Sequence, residues 1–201
     1  MKRLSIVILV VILSVGGCVS NQEKGIVEEI KSSSFQPNPL DDEWSKWIVG
    51  EWKGSAEIGG AKSNAWTKIE LGLNGQFLIM KWENEITYEQ IQQLKEIMPA
   101  PDEDMEGFLS SSFKELEIRT IDTKTGELTG YLFDSLRCIA KGTGRWEGNQ
   151  EIMEWQWSGQ GQGTSIRTTK KVGDDKFIVT QKYTLPDGSI MEDSAEMTRK
   201  K

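Results

Sequence analysis

Histidine is absent from the 201 residues, which removes Ser-His and Cys-His nucleophilic catalysis, His-ligated haem, His-containing zinc sites and the ordinary near-neutral proton shuttle. Acid–base work would fall to carboxylates. Asp134, Glu154 and Asp193 are the candidates whose pKa a low-dielectric cavity would raise, but no spacing among them selects a pair. Cys138 falls on the inward phase of its strand, where a buried thiol behaves as a small hydrophobe. Gly159-Gln160-Gly161-Gln162-Gly163 and Gly142-Thr143-Gly144 look superficially like phosphate loops, yet neither precedes a helix whose N-terminus could receive a phosphate. They read as a hairpin and a barrel strand. Asp41-Asp42-Glu43 and Asp102-Glu103-Asp104-Glu106 lack the ligand spacing and glycine of a calcium loop, so they read as solvated charge. No catalytic residue, metal or cofactor is expected, and the chain reads as non-enzymatic.

The aromatic and sulfur-bearing side chains are the better candidates for a site, because ligand cavities combine an apolar lining with a few polar handles. Their placement depends on the strands that carry them. From Trp44 onward, segments of eight to eleven residues rich in Thr, Trp, Ile, Val, Phe and Tyr alternate with Gly, Asn or Asp turns. Candidate strands fall near 50–58, 63–73, 76–85, 113–121, 127–135, 137–146, 151–158, 164–172, 176–184 and 189–199. Ten short strands joined by tight turns pair sequentially, and a sheet that long curls and closes so that no edge is left exposed. The expected fold is all-β, an antiparallel meander closed into a barrel.

Two hairpins set the facing of its interior. A two-residue Asn74-Gly75 turn pairs Leu71 with Leu78, Ile69 with Met80 and Thr67 with Trp82. The other face then sets Lys68 against Lys81, which only solvent tolerates. Gly148-Asn149 pairs Gly144 with Met153, Gly142 with Trp155 and Ala140 with Trp157, small residues opposite large ones as in a tapering barrel. Phe177, Val179 and Tyr183 share a face of a later strand. Thr67, Ile69, Met80, Trp82, Met153, Trp155, Trp157 and Tyr183 therefore form the candidate ligand-binding interior; plain core packing is the other reading of the same face. Ten strands enclose more room than the eight that already hold a small ligand.

Residues 86–112 break the meander. Tyr88, Ile91, Leu94, Ile97 and Met98 recur at helical spacing, Pro99 and Pro101 stop the pattern, and Asp102 to Leu109 could begin a second short helix. This reads as a helical insertion between the third and fourth strands, either a lid over one barrel mouth or a plug that covers core.

Composition sets the partners. The balance of 24 basic and 31 acidic side chains, formally −7, opposes binding to phosphate backbones and anionic headgroups by electrostatics alone, so no nucleic-acid partner is expected. Eight tryptophans in a chain only 37% apolar can bury enough area for a core without disulfides or metal.

Lys2-Arg3, the apolar run Leu4–Val15 and the small residues before Cys18 form a secretion signal too short for a comfortable membrane span. Val15-Gly16-Gly17-Cys18 resembles the lipobox of bacterial lipoproteins, which implies cleavage of residues 1–17 and a lipidated Cys18. That processing would take the formal charge to −9 and exclude an intramolecular disulfide with Cys138. Two or three acyl chains would hold the protein on a bilayer. Val19, in place of Asp after the cysteine, implies the outer membrane where a bacterial envelope has one. Residues 18–43, with Ser32-Ser33-Ser34 and Pro37-Asn38-Pro39, have the composition of a flexible tether, leaving 44–201 as the barrel domain.

Trp44 to Trp52 holds a short helical turn running into Gly50-Glu51-Trp52, a Gly-x-Trp that resembles the opening of lipocalin-type (calycin) barrels. With Phe133-Asp134-Ser135, the strand Gly142-Thr143-Gly144-Arg145-Trp146 and the closing Met197-Thr198-Arg199-Lys200, the chain is similar, from Trp44 to Lys201, to a bacterial lipocalin-like family known as domain of unknown function 1579. Leu136-Arg137 stands where that family often has Gly after Asp-Ser. The resemblance implies that Arg199 covers Trp52 as a closure of the barrel end. Together these readings give a lipid-anchored protein of the bacterial cell envelope, its domain outside the cytoplasm, binding a small, mainly apolar ligand; a non-enzymatic structural or interaction module with a filled barrel is the alternative.

Overall fold

Asn74 and Gly75 adopt φ of 60° and 79°, the left-handed pair that a type I′ hairpin turn requires. The turn joins β2 (Ala61–Gly72) to β3 (Phe77–Glu85) in the anticipated register: Leu71 opposite Leu78, Ile69 opposite Met80 and Thr67 opposite Trp82. Lys68 and Lys81 do face solvent, and Glu70 lies 2.6 and 3.5 Å from their ammonium groups, which relieves the like-charge pairing. Residues 38–58, 60–85, 87, 112–159 and 162–201 are described by the computed structural model. The expected signal peptide, Cys18, most of the tether and the helical insertion, apart from Thr87 and Ser112, lie outside them.

A six-residue helix, α1 (Glu43–Ile48), precedes β1 (Gly50–Ile58). The meander continues through β4 (Phe113–Ile121), β5 (Leu128–Asp134), β6 (Ile139–Glu147), β7 (Gln150–Ser158), β8 (Gly163–Lys171), β9 (Lys176–Thr184) and β10 (Ile190–Arg199). Each strand pairs antiparallel with its sequence neighbours and β10 pairs with β1, so the ten strands form a closed barrel. Closure leaves these strands no open edge. The Gly148 hairpin also sets Gly144, Gly142 and Ala140 opposite Met153, Trp155 and Trp157. A Cβ on Gly142 would lie 2.5 Å from the Trp155 ring; only glycine lets the indole lie flat on that strand.

One barrel end is capped by α1. The Asp42 carboxylate accepts from Ser45 N–H at 2.8 Å and caps the helix. Leu40, anticipated in the tether, packs on the core and donates its N–H to the Gly75 carbonyl at 2.8 Å. Trp47, Trp52 and Phe177 meet edge to face, with ring centroids 5.7 and 4.8 Å apart along that chain. The Arg199 guanidinium lies 4.0 Å from the Trp52 ring centroid. Its Nη1 and Nη2 donate to the Val49 and Trp47 carbonyls at 2.8 and 2.5 Å, tying the last strand to the end of α1.

Inside, two apolar clusters occupy two arcs of the wall. The first draws on α1, β1, β2, β3, β9 and β10; the second takes Leu128, Leu132, Ala140, Met153, Trp155 and Trp157 from β5, β6 and β7, with Cys138 just before β6. Strands β4 and β8 separate the two arcs, and their buried residues, Glu117, Arg119, Ser165, Arg167 and Thr169, are polar.

Removing the Arg199 side chain breaks the cation–π contact and two hydrogen bonds to carbonyls, each worth about 1 kcal/mol or more. Arg199→Ala is expected to lower the unfolding free energy in urea by about 3 kcal/mol, and Lys200→Ala, whose partner Glu51 is exposed, by under about 0.5. Equal effects would show that Arg199 does not lock the barrel end.

Candidate functional site

Alternation along β4 turns Glu115, Glu117 and Arg119 inward and Lys114, Leu116 and Ile118 outward. Glu117 is wholly buried, and Arg119 and Glu151 are nearly so. Arg119 Nε lies 2.9 Å from Glu117, and Arg119 Nη1 bonds Glu151 of β7. From β8, Arg167 reaches across the interior to Glu117 at 2.5 Å and to Glu115 at 3.6 Å. Its guanidinium also lies 5.1 Å from the Trp155 ring centroid. Three carboxyls and two guanidiniums thus form one cluster, the charged members of which pair with one another as buried charge must.

Glu115, its side chain 14% exposed, is the carboxyl of the cluster that borders open space, with Arg167 beside it. A cavity of about 80 Å³ lies at the barrel end opposite α1, where β3 ends and β4 begins. That is room for a group of a few heavy atoms, or for one end of a longer molecule, and less than the roughly 300–1,000 Å³ of drug-sized sites. Its apolar lining includes Ile58, Met80, Trp82, Phe113, Phe177 and Val179; its polar lining includes Asn84, Glu115, Arg167, Gln181, Tyr183 and Asp193. Trp82 Nε1 donates to Asn84 Oδ1 at 2.7 Å. Gln181 Nε2 and Trp157 Nε1 both donate to Ser165 Oγ, at 3.0 and 2.7 Å.

Burial pushes the Glu115 carboxyl up to about 8; Arg167 opposes this, and Glu117, Asp134 and Asp193 reinforce it. A proton on Glu115 brings the five-membered cluster to formal neutrality. For Arg167, burial works against the charge, but Glu117 and Glu115 outweigh it and hold the guanidinium above its ordinary value. Burial, then Asp193 and Glu115, hold the Tyr183 hydroxyl well above its ordinary value. Asp134 is raised by burial although Cys138 and Leu136 donate their N–H groups to it.

Of the eight residues anticipated as a ligand-binding interior, Met80, Trp82 and Tyr183 line the cavity. Thr67 is wholly buried opposite Trp82, and Ile69 and Met153 pack in the two apolar clusters. Trp155 and Trp157 lie behind the lining: one backs Arg167, the other meets the Tyr183 ring at 5.8 Å. Among the anticipated carboxylates, Asp193 lines the cavity, Asp134 stands beside Glu115 across the β4–β5 pairing, and Glu154 is exposed on the outer face near Arg145. Sequence reasoning missed Glu115, Arg167, Asn84 and Gln181. Their signal lies in register: β4 enters through the long 86–112 segment, so no tight turn fixes its facing, but counting back from Gly148 through β6 and β5 does. Among the described residues no group of three or more Cys, Asp or Glu is arranged to hold a metal ion.

Among solved structures the chain is similar to the S-type phycobiliprotein lyase CPES from Guillardia theta, at 12% identity and a TM-score of 0.50 over 79% of this chain and 92% of that one. It is similar also to Rv2717c from M. tuberculosis, at 11% identity and 0.52 over 78% and 94%. At such identities the likeness shows a shared fold, the closed lipocalin-like barrel, and that alone. No family model and no curated protein matches the chain.

The Glu115 shift carries a pH dependence whose sign is fixed. Between the ordinary value of 4.5 and about 8 the folded protein keeps a proton that the unfolded chain releases, so rising pH erodes stability by about 1.4 kcal/mol per unit. The contribution is intact below that window and fully lost above it. Glu115→Gln removes it: the variant's stability relative to wild type should climb through the window, read from urea unfolding at pH 5, 6.5 and 8. A constant difference would mean that Glu115 is ionised in the folded barrel.

Proposed function

We propose that this chain is a lipid-anchored, lipocalin-like protein of the bacterial cell envelope that binds a small molecule inside its barrel. The observation that supports this best is the unfilled space at the end opposite α1, lined by Trp82, Phe113 and Val179 beside Glu115, Arg167 and Tyr183. A barrel serving only as a rigid module has no need to leave a buried, protonated carboxyl beside a void, since such a group is costly unless satisfied. The ligand is small, or presents one small end, and is amphipathic: apolar against Ile58 and Trp82, hydrogen-bonded at the polar set. Membership of the domain of unknown function 1579 family belongs to the same proposal, supported by the Gly-x-Trp opening and by Arg199 over Trp52.

A second reading is favoured by one observation: Glu115 and Asp193 line the same cavity, and two carboxyls whose environments differ are the usual equipment of acid–base chemistry without histidine. Binding is the simpler reading and is the one adopted here.

Solvent extraction of the protein purified from its native envelope, followed by mass spectrometry, is expected to release one small amphipathic molecule in near-stoichiometric amount. Trp82→Ala should lose it, and Ile139→Ala on the outer face should retain it. An empty extract, with no small molecule shifting the thermal midpoint, would overturn the binding reading; turnover of the extracted molecule on incubation would favour the second. The anchor has its own test. Wild type should take up a palmitate analogue and Cys18→Ser should not, whereas an unlabelled wild type would refute lipidation.

A further inference from the structure

The cavity's polar groups differ in how far the barrel already satisfies them. Arg167 is spoken for: Nη2 is 2.5 Å from Glu117, Nη1 is 3.6 Å from Glu115, and the guanidinium lies over Trp155. The surplus is on the acidic side. Within the cluster of Glu115, Glu117, Glu151, Arg119 and Arg167, carboxyls outnumber guanidiniums three to two, and Glu115, the one without a guanidinium within hydrogen-bond distance, lines the cavity. Asp193 lines it too. Gln181, 9% exposed, directs its Nε2 to Ser165, and among the described residues nothing donates to its Oε1. Acceptors therefore collect at the void beside the Trp82 and Phe113 rings, whose π faces attract cations. An entering anion would meet Glu115 and find Arg167, the one basic side chain among the described lining residues, already paired; an entering cation would bring the cluster to three against three.

We propose that the cavity takes a small primary amine in its protonated form, the ammonium seated against Glu115 and Gln181 and the hydrocarbon against Trp82, Phe113 and Val179. This rests on the ligand-binding reading above and names its ligand class. An ammonium has three N–H donors, and Glu115, the Gln181 carbonyl and the Tyr183 hydroxyl oxygen offer it acceptors. Seating it expels the proton that Glu115 otherwise keeps, which passes to solvent as the carboxylate–ammonium pair forms. The groups that set this balance around Glu115 are Glu117 on its own strand, Asp134 on β5, Arg167 on β8, Tyr183 on β9 and Asp193 on β10. Affinity for the amine should therefore rise with pH up to about 8, the value to which burial lifts Glu115, while that for a neutral analogue should not change.

The test is calorimetric titration of the full chain in phospholipid nanodiscs, against empty nanodiscs, with n-butylammonium, 1-butanol and butanoate. Butylammonium should bind at least tenfold more tightly than either analogue, and about tenfold more tightly at pH 7.5 than at 6.5. Glu115→Gln, which removes a buried ionisable group and should fold, is expected to abolish that preference, and Ile139→Ala on the outer face should keep it. If 1-butanol or butanoate matches butylammonium, or if Glu115→Gln keeps the preference, the amine is wrong and the binding reading stands. If none of the three binds, both fall.

Discussion

Closure of the sheet governs everything else in this protein. Because β10 returns to β1, each strand is paired on both sides, and a period of two decides which residues face a space without bulk water. A one-residue slip anywhere would exchange inside for outside. In β4 that alternation sends Glu115, Glu117 and Arg119 inward and leaves Leu116 37% exposed, against the local hydrophobic preference. The neighbouring registers overrule it. Once buried, these groups must find partners of opposite charge, and Arg167 of β8 and Glu151 of β7 supply them from elsewhere on the barrel wall.

The two barrel ends are specialised. At one, α1, Trp47, Trp52, Phe177 and Arg199 form a sealed aromatic and hydrogen-bonded cap. At the other, space remains among apolar and polar side chains. The polar residues of β4 and β8 keep the two apolar arcs from merging into a single core, and Glu115, the carboxyl in excess of the guanidiniums, lies against the void. Stability and binding capacity are in tension there, since a carboxyl held protonated near neutrality is a cost to the fold and a resource to a site.

Much of the fold could be read from turn chemistry. Asn74-Gly75 and Gly148-Asn149 each fix a two-strand register without long-range information, and Gly142 opposite Trp155 tells which face is inside. The cap was legible through Gly50-Glu51-Trp52 and Arg199. The site was legible in part: the alternation that places Met80, Trp82 and Tyr183 inside does not say how deep each lies, so Ile69, Met153 and Trp155, equally inward, are core. Leu40 looked like tether because proline and acidic neighbours dominate its composition, yet a single backbone hydrogen bond and its apolar contact hold it. Glu115 and Arg167 escaped notice because a charged residue in a strand reads as solvent-facing, and pairing across a barrel is a property of closure that no local window contains.

A crystal structure of the protein isolated from its own envelope, without added ligand, tests the central claim most directly. The account predicts continuous electron density for a bound molecule between Trp82, Glu115 and Tyr183. A cavity closed by those same side chains, with nothing between them, would contradict it.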